Sequence, residues 1–168
     1  TATMRVSGHL NPAITIGVAA SRRMEAGVAA VYVVSQCAGA VVAALALKAL
    51  FPAAVGQAAR LGGEWVAGNV TTLQAIGFEA IATFFLVFVA FATLVDPDGP
   101  KVGGFAIGLT VCADVLAIGP LTGASMNPAR SFGPALVSGM LQGHLIYWVG
   151  PILGGIAAGL IYDRVFLR

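Results

Sequence analysis

Ser7-Gly8-His9-Leu10-Asn11-Pro12-Ala13 recurs late in the chain as Thr122-Gly123-Ala124-Ser125-Met126-Asn127-Pro128-Ala129. Each copy runs into a short apolar stretch, residues 14–20 or 132–140, and then into a long one. Asn is a favoured helix N-cap, and Pro suits the first helical position, where its missing N–H is not needed. Neither short stretch can cross a bilayer, because about ten helical residues at about 1.5 Å each cover only half of its ~30 Å apolar core. Each copy therefore reads as a loop that dips into the membrane and continues there as a half-helix. Irregular backbone at that depth is tolerated only where it is buried in protein or lines a watery cavity. Two copies of opposite topology bring two helix N-termini together near the midplane, and broken helices in repeated halves point to a permeation site.

The remaining sequence supplies a membrane setting. Of 168 residues, 58% are hydrophobic and 10% charged, with nine Lys and Arg against seven Asp and Glu, and the mean hydropathy is +0.92. Soluble domains carry about 25% charged residues. A net charge of +2 argues against a nucleic-acid surface and against an acidic disordered tail. Four stretches are long and apolar enough to span, or nearly so: residues 26–50, 73–95, 102–119 and 144–166. Residues 1–25 and 120–143 hold the two re-entrant loops and half-helices. Breaks fall at residues 52–72 and at Asp96-Pro97-Asp98-Gly99-Pro100, a strong turn signal. Alternating spans put Arg22, Arg23, Lys101, Arg164 and Arg168 on one side, read as cytoplasmic, and Arg60 and Arg130 on the other, with Lys48 near its boundary. The chain opens on Thr1 with no charged n-region, so no signal peptide is read and a fragment is expected. Cys37 and Cys112 read as small buried hydrophobes, and no metal-ligand spacing is present.

The chemistry expected of such a pair is electrostatic. Each half-helix presents roughly half a positive charge at its start, so two of them facing a narrow pore raise the energy of any cation, hydronium included. The side-chain amides of Asn11 and Asn127 can donate to a passing water while their oxygens cap the helices. Backbone carbonyls of Gly8, His9, Leu10, Gly123 and Ser125 offer acceptors along the way. A water held by both donors cannot relay a proton through the midpoint.

These motifs resemble the aquaporin, or major intrinsic protein, family over nearly the whole chain. The most specific stretches are His9-Leu10-Asn11-Pro12-Ala13, Asn127-Pro128-Ala129-Arg130-Ser131-Phe132-Gly133-Pro134-Ala135, Tyr147-Trp148-Val149-Gly150-Pro151 and Gln36-Cys37-Ala38-Gly39-Ala40. The resemblance implies an all-α membrane fold, a helical bundle with two re-entrant half-helices in an inverted repeat, and a homotetramer of channels. Six spans are usual in the family, so the first two are expected to be missing here.

By the same resemblance, Arg130 belongs to a constriction near the outer mouth, with Val115 and Ala124 beside it and a fourth filter residue outside the chain. An intramembrane charge is a functional candidate in its own right. Val115 and Ala124 are smaller or less polar than the residues of strict water channels, which widens the expected filter. Ser131, Ala135 and the Tyr147-Trp148 pair resemble water-conducting members, and Gly123-Ala124-Ser125-Met126 resembles plant vacuolar ones. One residue fewer than usual between Gly8 and His9 shortens the first loop. Glu79 and Gln36 are expected to support the re-entrant loops by accepting backbone N–H groups, and Asp114 to hydrogen-bond a neighbouring helix or stay protonated, or else to line the pore beside Val115. Gly104/Gly108, Gly150/Gly154 and Gly155/Gly159 are small-residue pairs suited to close helix crossings.

The function expected is passive passage of water, with small neutral solutes plausible and protons and ions excluded. Alternatives are a glycerol, urea or ammonia facilitator of the same fold, a broken-helix secondary transporter, or an occluded structural membrane protein. No enzyme, cofactor, metal or nucleic-acid partner is expected, since no catalytic arrangement is visible. The setting expected is multi-pass in a plasma or inner membrane.

Overall fold

The computed structural model describes residues 8–167. Ser7, which opens the first motif, and Arg168, one of the cations used for orientation, lie outside them. The described residues form helices and loops without strands. Helix α1 (Pro12–Ala20) is the first half-helix, and α2 (Ala26–Leu50) is the first long one. Pro52 forces the residue before it out of the helical region, and α2 ends there with Phe51 extended. A short α3 (Ala53–Ala58) and a 3₁₀ turn (Arg60–Gly62) follow, with Arg60 and Leu61 at φ 50° and 54°.

Helix α4 (Thr72–Ala90) begins in a capping box, Thr71 and Gln74 each serving the other's backbone N–H. It widens into a π turn (Phe91–Val95) before the Asp96–Pro100 turn. Helix α5 (Gly103–Thr122) runs past the expected end at residue 119: Pro120 is absorbed in the last turns, and left-handed Gly123 (φ 83°) stops the helix. The second half-helix, α6 (Pro128–Ser138), ends on left-handed Gly139, and α7 (Ile146–Val165) closes the fold. It starts two residues later than residue 144, because a turn through Gly143 (φ 71°) precedes it. Four helices are long and apolar enough to cross a membrane: Ala26–Leu50, Thr72–Val95, Gly103–Thr122 and Ile146–Val165.

The half-helices are seated crosswise. The first, α1, lies on α7, and the second, α6, lies on α2. Both seats are made of backbone. A Cβ added to Gly17 would stand 2.6 Å from the carbonyl oxygen of Gly155, one on Gly155 2.5 Å from that of Ala13, and one on Gly159 2.6 Å from that of Gly17. Gly133 of α6 meets the Ala40 backbone of α2 in the same way, and Gly150 and Gly154 admit α4 at Glu79 and Ala80. Gly104 and Gly108, expected to do likewise, meet nothing among the described residues: the face of α5 that carries them packs against no described element. Val18, Val87, Phe91, Ala158 and Tyr162 form the core beneath α1.

Two contacts gather the expected cytoplasmic side. Arg23 pairs with Asp163, and the Tyr162 hydroxyl donates to Asp96 at 2.9 Å. Arg60 and Arg130 share the other end, around the 3₁₀ turn.

Candidate functional site

Asn11 and Asn127 cap their half-helices in nearly the same backbone conformation, φ/ψ −142°/117° and −151°/105°. Asn11 Oδ1 accepts from Ala13 N–H at 2.8 Å, and Asn127 Oδ1 from the N–H groups of Ala129 and Arg130 at 3.1 and 3.2 Å. Pro12 and Pro128 occupy the first helical position in each copy.

The amide nitrogens reach across. Asn11 Nδ2 donates to the Met126 carbonyl at 2.8 Å, and Asn127 Nδ2 donates to the Leu10 carbonyl at 3.1 Å. The two loops therefore clasp each other, which the sequence reading did not foresee. Each amide carries two N–H groups, so one of each is not used in this clasp.

Each loop has its own support. Glu79, fully buried on α4, accepts from Ser125 N–H at 3.0 Å, Met126 N–H at 2.8 Å and the Thr122 hydroxyl at 2.7 Å. These backbone donors would otherwise be orphaned at membrane depth, where each costs several kcal/mol. Positive φ at Gly123, Ala124 and Met126 is what turns that N–H pair toward the carboxylate. Gln36 acts in the opposite sense to the one expected. Its Nε2 donates to the His9 carbonyl at 2.8 Å and to the Thr15 hydroxyl at 3.0 Å, because the first loop presents carbonyls, not N–H groups, to α2. The carbonyls of His9 and Leu10 thus already hold one bond each, and a second lone pair on each is left.

Two cavities meet at Asn127 and Arg130, which line both. One of about 660 Å³ is walled by Gly8, His9, Leu10, Tyr32, Gln36 and Ala129 among others. The other, about 330 Å³, is walled by Asn11, Val115, Gly123, Ala124, Ser125 and Met126 among others. The three expected filter residues Arg130, Val115 and Ala124 share that second cavity. Among the described residues, buried His9 Nδ1 and Gln36 Oε1 have no hydrogen-bond partner. Asp114 Oδ2 likewise has none, so the bond to a neighbouring helix expected of it is not made among them. Cys37 and Cys112 are both free thiols, but neither is buried as expected: among the described residues Cys37 is half-buried and Cys112, on the uncovered side of α5, is exposed.

Arg130 does not stand alone. It pairs with Glu64, and its Nη1 donates to the Gly62 carbonyl at 2.9 Å; the Arg130 side chain is 45% exposed, the Glu64 side chain 2%. Glu64 also accepts from the Ser131 hydroxyl at 3.0 Å. Two Arg130 donors are thus held to one side, and the others of the fork are not used in these contacts. Sequence reasoning passed over Glu64 as part of a connecting segment. The signal was its sign: it is the one carboxylate in residues 52–72, on the side of the membrane to which Arg130 had been assigned. The small residues of the half-helices, Gly17 and Gly133, were missed as well.

A family model described as Major intrinsic protein matches residues 1–162. Aquaporin TIP4-4 of Zea mays is 47% identical over 163 residues, covering 95% of this chain and 63% of that protein. Aquaporin TIP2-1 of Arabidopsis thaliana is 41% identical, again with 95% and 63% covered. The X-ray structure of the aquaglyceroporin from Plasmodium falciparum superposes with a TM-score of 0.79 at 22% identity, covering 94% of this chain and 73% of that one. The likeness shows a common fold. The chain spans about 63% of the length of the curated relatives it matches.

Proposed function

Since the chain belongs to the major intrinsic protein family, we propose that it forms part of a passive channel for water that turns away protons and ions. The observation that carries this reading is the reciprocal clasp of Asn11 and Asn127, which leaves one amide N–H of each at the meeting point of two half-helix N-termini. A water oxygen facing those donors sits where the helix ends are positive, so a hydronium ion or metal cation there is destabilised. Arg130 adds a fixed cation at the outer constriction, with Val115 and Ala124 as its apolar wall. Gly8, His9, Leu10, Gly123 and Ser125 supply the acceptor carbonyls, and Glu79 and Gln36 hold the two loops in place.

A wider range of small neutral solutes, such as glycerol, urea or ammonia, is the second reading. It is favoured by the small side chains at Val115 and Ala124 on the filter wall. The assembly proposed is a homotetramer. The TIP-type relatives and the Gly123–Met126 stretch favour a vacuolar-type membrane over the plasma or inner membrane expected above, which fractionation of cells holding the tagged full-length protein tests.

The deciding experiment is stopped-flow swelling of proteoliposomes carrying the full-length protein, with proton leak followed by an internal dye. Water flux above that of empty vesicles, without added proton leak, is expected. Arg130→Ala should then raise glycerol or urea flux relative to water. A variant indistinguishable from the parent for every solute and for protons would overturn the filter assignment.

A further inference from the structure

Behind the ion pair of Arg130 and Glu64 lie two buried hydroxyls, Ser131 (1% exposed) and Ser125 (5%). They sit in close hydrogen-bond contact with each other. Ser131 Oγ is 3.0 Å from Glu64 Oε1, and Asn127 N–H donates to Ser125 Oγ at 3.3 Å. Ser125 Oγ also lies 3.0 Å from the Asn127 carbonyl.

Each hydroxyl has one proton to give, and counting protons orders the chain. The Glu64 carboxylate only accepts, and hydrogen bonds to a charged group are the stronger ones, so the Ser131 proton belongs on Glu64. Two oxygens in close contact need a proton between them, which Ser125 must then supply to Ser131. Ser125 in turn accepts from Asn127 N–H. The reverse order, with Ser125 donating to the Asn127 carbonyl and Ser131 to Ser125, would leave a hydroxyl lone pair facing the carboxylate at 3.0 Å. A buried arrangement of that kind is costly.

We propose that Ser125 and Ser131 are positioning residues. They form a directed hydrogen-bond relay, Asn127 N–H to Ser125 to Ser131 to Glu64, that ties the orientation of Arg130 at the constriction to Asn127 at the midplane. The proposal rests on the channel reading and concerns its selectivity. Among the described residues, the first copy of the motif has no such relay. Thr15, at the position of Ser131, returns its hydroxyl proton to the Asn11 carbonyl at 3.1 Å and accepts from Gln36. Removing either serine hydroxyl leaves Arg130 tied to Glu64 and Gly62 but loosens Glu64 from the half-helix, so the guanidinium wanders and larger neutral solutes pass.

The test is a double-mutant cycle between the two ends of the relay, Ser125→Ala and Glu64→Gln, in the full-length protein. Two quantities are read: the glycerol-to-water permeability ratio in proteoliposomes, and amide exchange of the peptide covering residues 123–131 in detergent. Ser125→Ala should raise the ratio by about fivefold and Glu64→Gln, which also removes the charge paired with Arg130, by at least as much; both should speed exchange, and the double variant should add little to the larger of the two. Ser131→Ala should match Ser125→Ala, and Ser131→Thr should restore both readouts, because threonine keeps the hydroxyl and already serves at the equivalent position of the first copy. Additive effects in the cycle, or a Ser131→Ala protein with parent-like ratio and exchange, would overturn the relay. A parent that conducts nothing would sink the channel reading, and the exchange cycle alone would then decide the relay.

Discussion

Ile14 and Arg130 stand at the same place in the two copies of the motif, one residue past Asn-Pro-Ala, and Thr15 and Ser131 follow them. Up to that point the halves are alike: the same cap, the same proline, and one amide bond to the opposite loop. Beyond it they part. Thr15 is served by the neutral amide of Gln36, whereas Ser131 and Arg130 are served by the carboxylate of Glu64. The loop before the first half-helix is held through its carbonyls by a donor, and the loop before the second through its N–H groups by Glu79. One architecture thus carries a neutral half and a charged half. Helix-end electrostatics is common to both, and only the second copy carries a cation directly after Asn-Pro-Ala.

The sharpest way to break this comparison is at the loop supports. Glu79→Gln removes the charge behind three buried bonds and puts an NH2 group where one carboxylate oxygen stood, against either Met126 N–H or the Ser125 N–H and Thr122 hydroxyl pair. A loss of about 3–5 kcal/mol is expected, since hydrogen bonds to a charged group contribute about 1.5–3 kcal/mol each, read as denaturant or thermal unfolding of the full-length protein. Gln36→Ala removes two neutral bonds and should cost only about 1–3 kcal/mol. Equal losses would mean that the charge difference between the halves has no structural weight.

The seats of the half-helices should instead behave alike. Gly17→Ala forces a methyl against the Gly155 carbonyl, and Gly133→Ala forces one against the Ala40 backbone. Each is expected to destabilise by about 1–3 kcal/mol, because neither neighbour is a flexible side chain. A tolerated Gly133→Ala beside a damaging Gly17→Ala would show that the two seats are unlike. The caps come next. Asn11→Ala and Asn127→Ala should each cost about 1–2 kcal/mol, and both should raise proton leak. If only one does, the midpoint barrier belongs to that half alone.

The smallest effect expected is a pH dependence to which the outer half contributes through one histidine. His144, just before α7, accepts from the Trp148 indole N–H at 2.9 Å, so its Nε2 is unprotonated. Burial lowers its pKa, partly offset by the nearby charge of Glu64. The fold therefore favours the uncharged ring. Stability should hold above the ordinary imidazole value of about 6.5 and decline as the pH falls below it. Melting curves of the parent between neutral and mildly acid pH should show this decline, and His144→Gln should make it shallower.

How much of this was legible in the chain follows from how local each signal is. The Asn-Pro pairs were readable because capping is decided by three or four consecutive residues. Glu79 was readable because a carboxylate inside an apolar span must have partners. Glu64 was hidden: its connecting segment has no periodicity, and its meaning depends on a tertiary contact with Arg130, 66 positions later. Gln36 was placed correctly but given the wrong sense, since a sequence does not say whether a loop turns its N–H groups or its carbonyls toward a helix. Gly17 and Gly133 carry no chemistry of their own and acquire a role only when another backbone arrives. Gly104 and Gly108 are the reverse case, a spacing with no described partner.

The crossed amide bonds between Asn11 and Met126 and between Asn127 and Leu10 have a mechanical consequence. They rivet the two loops into one body, so a lateral pull on either long span is shared by both before it reaches the bore. Bilayer thinning or tension would then deform the two ends of the molecule sooner than its middle, and the paired caps are the last to give way.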